Sequence, residues 1–225
     1  MRETLTGDLP GALERLGKLP ILNQEYLVGV APLPDDPDDG QNGLWGLFFS
    51  PCGSFVAEVG MRAVRVFRVT DGDPVLVCDA KFAEYLWRPG VGTTRARFGD
   101  GNETLEIYRS FPHAKPGVNR AERWIYDAAT GALRGSAMLD TADVDALSFP
   151  DDGRASHTYL HDGATYLTRH NNRIRAYKAT KSGKAGAIRV DIPLRHGMPL
   201  LTAAPDGETF ATANRQYLCV WRIAR

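Results

Sequence analysis

His157 and His161 stand four residues apart, the spacing at which two imidazoles on one helix face can take a metal ion. Their surroundings, "HTYLHDG", read instead as a strand running into a turn, where side chains alternate faces and no third ligand follows. The histidines are read as structural, and no metal or other cofactor is expected. The acidic stretch "PLPDDPDDGQNG", residues 32–43, invites a calcium reading. A calcium loop of the helix-flanked kind needs oxygen ligands at fixed alternate positions and a closing glutamate. Here Pro37 takes a ligand place, Gly40 is the glycine, and no glutamate follows at the required spacing, so the stretch reads as a solvated loop. Cys52, Cys78 and Cys219 are few, odd in number and far apart, as free thiols in a reducing compartment are. The chain has no Gly-x-Ser-x-Gly elbow, phosphate-binding loop, Cys-x-x-Cys pair or paired-carboxylate motif. The expectation is a protein that is not an enzyme.

Bulk charge narrows the partners. Lys plus Arg number 27 and Asp plus Glu number 27, so the formal net charge is zero. Nucleic acid and anionic membrane are not expected as partners. No stretch approaches the roughly 20 apolar residues a membrane helix needs. The opening "MRETLTGDLPGALERLGKLP" lacks the apolar run of a secretory leader, so the expected location is the cytoplasm. Within it Asp8 can cap a helix, Pro10 suits its first turn, and Gly17 and Pro20 stop it. Residues 1–20 are read as an N-terminal extension with this short helix, and 21–225 as one domain.

Beyond that extension the apolar residues alternate. "SFVAEV", "AVRVFRV", "PVLVCDA", "RIRAYKA" and "YLCVWRI" are short, rich in β-branched and aromatic residues, and separated by Gly, Asp, Asn and Pro. That is the strand-and-turn pattern of an all-β protein. The pattern also repeats. Gly53, Gly163 and Gly207 each precede an aromatic by 14 positions: Phe67, Tyr177 and Trp221. A looser copy runs from Gly101 to Tyr126, a separation of 25, with the excess placed near "PHAKPGVNR", residues 112–120. "LSFPDDG", residues 147–153, offers a competing turn at Gly153; Gly163 is preferred because it restores the spacing of 14. One such sheet cannot bury both its faces, whereas stacked copies can.

"FSPCG", "APDG" and "FPDDG", with "VRVFRVTDG", "RWIYDAATG" and "YLCVWRIA", resemble the turns and third strands of the WD40-type β-propeller repeat over roughly residues 44–225. The family's Trp-Asp pair is absent: Arg222 follows Trp221, Arg68 follows Phe67, and only Tyr126–Asp127 keeps the acid. The resemblance implies an all-β propeller of about four four-stranded blades. It also implies that a strand near 21–30 supplies the fourth strand of the last blade, beside "YLCVWRIAR". Four blades is a small ring, so three closures stay open: a small closed ring, an arc completed by a homodimer or another chain, or part of a longer protein.

In that arrangement the turns between second and third strands share one face. Arg62, Arg173 and Arg215 fall there, and the insertion adds Lys115 and Arg120, with His113 and His170 beside them. Asp71, Asp73, Asp100, Asp162 and Asp206 fall on the opposite face. The resemblance therefore implies an interaction scaffold whose basic face binds a protein or peptide, acidic in character. The alternative is a propeller hydrolase or lactonase with a metal in its central channel.

Overall fold

A computed structural model describes residues 27–33, 44–60, 63–81, 94–112, 119–153, 157–159, 165–170, 173–179, 185–193, 200–213 and 217–223. Its strands form four antiparallel sheets of four. Blade 1 is β2 (Leu44–Phe49), β3 (Phe55–Gly60), β4 (Ala63–Arg68) and β5 (Val75–Lys81). Blade 2 is β6 (Thr94–Phe98), β7 (Thr104–Pro112), β8 (Asn119–Asp127) and β9 (Leu133–Asp140). Blade 3 is β10 (His157–Tyr159), β11 (Thr165–His170), β12 (Arg173–Ala179) and β13 (Ala185–Pro193). Blade 4 is β14 (Leu200–Ala203), β15 (Thr209–Ala213) and β16 (Tyr217–Arg222), with β1 (Leu27–Pro32) as its outer strand. The all-β propeller of four blades is thus the fold. The helix expected over 8–17 lies outside the described residues. The helix that is described, α1 (Thr141–Asp145), follows blade 2 and is capped by Asp140, whose side chain accepts from the Ala142 amide. Among the described residues, no helix is long and apolar enough to cross a membrane.

Registers put the repeats in phase. Val56 faces Phe67, Leu105 faces Tyr126, Tyr166 faces Tyr177 and Phe210 faces Trp221. These pairs place Gly53, Gly163 and Gly207 at one equivalent position, although the conformation of Gly163 itself lies outside the described residues. In blade 2 the equivalent residue is Asn102, not Gly101. Its amide bonds Gly99 O at 3.1 Å, as Gly53 N bonds Ser50 O at 2.9 Å and Gly207 N bonds Ala204 O at 3.3 Å. Asn102 has φ of 64°, a left-handed angle that asparagine tolerates better than most residues. The separation to Tyr126 is therefore one shorter than the Gly101 reading gave. β7 and β8 run nine residues each where β3 and β4 run six, so part of the inserted length extends the hairpin.

Gly153 lies outside the blade repeats. Leu47 N donates to Asp152 O and Leu201 N to Gly153 O, both at 2.9 Å. The segment thereby gives one edge amide each of β2 and β14 a partner. It carries a left-handed glycine in a proline-containing turn, as the turns at Gly53 and Gly207 do, though the Gly153 amide bonds Asp151 Oδ1 at 3.1 Å where theirs bond a backbone carbonyl. That shared chemistry is why two registers competed in the sequence.

Three seams between blades are apolar. Leu167, Ile174 and Ala176 of blade 3 pack with Phe210 and Trp221 of blade 4. Ala211, Ala213 and Leu218 of blade 4 pack with Val56 and Phe67 of blade 1. Ala57, Val64 and Val66 of blade 1 pack with Leu105, Ile107 and Tyr126 of blade 2. On its other side blade 2 is different. There Tyr108 and Ala121 meet Val144 of α1, with Leu147 and Phe149.

Candidate functional site

Two of the five basic residues picked from sequence are described. Arg120 is exposed near the start of β8, opposite Phe111 and Asp140. Arg173 is half-buried at the start of β12, opposite His170 and Pro193. They sit at corresponding ends of their blades, one per blade. Arg62, Lys115 and Arg215, together with His113 and His161, lie outside the described residues. The acids of the opposite face hold turns together. Asp206 accepts from the amides of Glu208 and Thr209 and from the Thr209 hydroxyl. Asp73 accepts from Val30 N at 3.0 Å, and Asp71 pairs with Arg222 at 3.1 Å. Among the described residues no group of three or more His, Cys, Asp or Glu could hold a metal ion.

Among the described residues the densest polar cluster lies elsewhere, on the side of blade 2 that faces away from blade 1. Strand alternation sends Ala96, Leu105 and Ile107 into the core shared with blade 1, and Arg95, Arg97, Glu106, Tyr108 and Arg123 to the other side. Glu106 is only 7% exposed. Its Oε2 accepts from Arg97 Nε and from the Tyr108 hydroxyl, both at 2.7 Å, while Oε1 accepts from Arg123 Nη2. The two guanidiniums also lie over the Tyr108 ring, with Cζ 5.8 Å (Arg97) and 6.0 Å (Arg123) from its centroid. Phe149 meets that ring edge-on at 5.5 Å and carries Arg95 over its own face at 5.4 Å. Arg95 pairs in turn with Asp145 of α1 at 3.3 Å.

Burial alone would raise the Glu106 carboxyl. Hydrogen bonds from Tyr108, Arg97 and Arg123 outweigh it and hold the group below the usual carboxylate range. Burial, and then the bond to Glu106, push the Tyr108 phenol up. Two fixed positive charges share one carboxylate, so this unit carries one excess positive charge. Its arginine ends stay open: the side chains of Arg97 and Arg123 are 30% and 31% exposed. Blade 1 has a polar ladder of a different kind. Arg65 bonds Glu58 at 3.1 Å and approaches Asp79 at 3.4 Å, with the arginine side chain only 10% exposed. Lys81 also pairs with Asp79 at 3.5 Å, so two cations meet two carboxylates and the group carries no excess charge.

Sequence reasoning placed function at turns and missed this cluster. The signal was present as a broken alternation: "TRARF" and "TLEIY" carry charge where a strand covered on both faces would carry aliphatic residues. Only the register shows that Arg97, Glu106 and Arg123 fall side by side.

A scan of protein-family models finds no match, and a comparison with curated proteins finds none. Solved structures do resemble the chain. The β-propeller domain of Myceliophteria thermophila Cps50 (Swd1) is 12% identical, with 85% of this chain and 58% of that chain covered, at a TM-score of 0.30. The WD40 repeats of RRP9 are 9% identical over 79% of each chain, at 0.31. A putative 6-phosphogluconolactonase from Bacteroides fragilis is 16% identical over 80% of this chain and 47% of that one, at 0.24. The chain thus spans little more than half of the Cps50 propeller domain and less than half of the lactonase. At such identities and scores these likenesses carry neither activity nor partner to this chain.

Proposed function

We propose that this WD40-like propeller is a non-catalytic interaction scaffold, recruiting an acidic protein or peptide through Arg62, Lys115, Arg120, Arg173 and Arg215. In this reading residues 21–225 form the propeller and 1–20 an extension to it. The observation that supports it is the position of Arg120 and Arg173. Arg173 is the first residue and Arg120 the second of the third strand of its blade, at the turn end where sequence puts Arg62 and Arg215 in blades 1 and 4. Blades stiffened by interlocking apolar seams hold such turns in fixed relative positions, while the turns themselves are free to vary. At the other end Asp206 serves its own turn, Asp73 the Val30 amide and Asp71 the Arg222 guanidinium, so these three acids are already engaged.

The test is charge reversal of Arg62, Arg173 and Arg215 together. Captured partners are expected to fall away, with an unchanged far-ultraviolet spectrum. Capture that survives the reversal contradicts the reading.

A further inference from the structure

We propose that Arg97 and Arg123 form an oxyanion seat on the side of blade 2 that faces away from blade 1, and that it takes a carboxylate side chain of an extended acidic peptide. The inference rests on the reading that the partner is acidic, and it assigns that partner a surface the basic turns do not include.

The geometry is that of a pre-built fork. Arg97 gives Nε to Glu106 and Arg123 gives Nη2, which leaves both Nη groups of Arg97 and Nη1 of Arg123 outside that pairing. Both side chains are nearly a third exposed, so these groups can be reached from solvent. Glu106 and the Tyr108 ring hold the two planes in place, so little side-chain freedom is lost when a ligand arrives. The excess positive charge supplies the attraction. Arg95 extends the site along β6. It lies two residues from Arg97 on the same strand face, already oriented by Phe149 and Asp145. Two residues of strand span roughly 6.8 Å, the repeat of side chains on one side of an extended peptide. The chemistry therefore fits acidic residues at alternate positions, one on the Arg97–Arg123 fork and the next near Arg95.

The probe is a fluorescein-labelled Gly-Glu-Gly-Glu-Gly-Glu-Gly peptide, followed by anisotropy at low salt against its Gln counterpart. The Glu peptide is expected to bind and the Gln peptide not to. R97Q and R123Q should each weaken binding about tenfold, the size of one charge-assisted hydrogen bond. R97K, which keeps the charge without the fork, should fall between wild type and R97Q. Failure of the wild-type protein to bind the Glu peptide overturns the seat. So does binding indifferent to R97Q and R123Q, or restored in full by R97K. The broader reading is decided separately by partner capture with the reversed Arg62, Arg173 and Arg215.

Discussion

Trp221 shows how one residue can serve two demands. Its ring stacks on Phe210 at 6.1 Å, and its Nε1 donates to the buried Thr212 hydroxyl at 3.0 Å. Trp221→Phe keeps most of the ring and takes one of two partners from that hydroxyl, which also bonds the Cys219 thiol, so it should lower stability by about 1 kcal/mol in urea unfolding. The cysteines divide by environment. Burial pushes Cys78 up to about 11 and Cys219 up to about 12. Cys52 is exposed; burial raises its thiol, but hydrogen bonds from Ser50 and Ser54 outweigh that and lower it. A thiol reagent at pH 8 should therefore label Cys52 in the native protein and all three cysteines in denaturant. Fast native labelling of Cys219 would contradict the packing. Glu106 gives a pH dependence with a definite sign. Its folded-state carboxyl is depressed, so its contribution is complete above the unfolded value and is lost as pH falls through the folded value. Wild type should lose stability over that acid range more steeply than E106Q. Equal slopes would show that Glu106 is not ionised in the cluster. Free thiols were legible from the count of three. The Glu106 cluster was not, because it depends on the pairing of strands far apart in sequence.

At the scale of elements, the glycine turns of blades 1 and 4 were legible and the Asn102 turn of blade 2 was not. Gly53, Gly207 and the 14-residue spacing are visible to the eye, since left-handed turns select glycine. Asn102 hid because Gly101, also left-handed at 75°, stands beside it. The Trp-Asp position offers a similar lesson. Arg68 and Arg222 replace the acid, and they reach out of their blades instead, Arg68 to Ala129 O and Arg222 to Asp71, both at 3.1 Å. Each strap runs to the third-to-fourth turn of the next blade. Asp127, the one acid kept, folds back on its own turn through the amides of Ala129 and Thr130 and pairs with Arg134. Gly153 is the element-scale position most exposed to challenge. A Cβ there would lie 2.8 Å from Leu47 O and 3.0 Å from Leu201 O, at φ of +70°. Gly153→Ala should cost about 1–3 kcal/mol, read from the urea midpoint. An unchanged midpoint would mean the segment does not wedge between β2 and β14.

The whole molecule depends on joining its two ends. β1 pairs antiparallel with β16, with Val30 opposite Cys219 and Ala31 opposite Leu218. This pairing completes blade 4, and it places Val30 and Cys219 in the same core as Trp221. An all-β class and stacked blades could be read from period-two alternation and repetition. Seam chemistry could not, because which face of a blade meets which neighbour is a property of the assembled array. The asymmetry of blade 2, apolar toward blade 1 and charged on its other side, emerges only there. The closure can be tested directly with Val30→Cys, which sets a thiol opposite the natural Cys219 at a cross-strand spacing a disulfide can span. Refolding the reduced protein from denaturant in a glutathione redox buffer, which lets the thiols meet before Cys219 is buried, followed by mass spectrometry of the digest, should find residue 30 linked to Cys219 within one chain, at monomer mass. Linkage only between two chains, or no linkage at all, would contradict a fourth blade completed by β1 of the same chain.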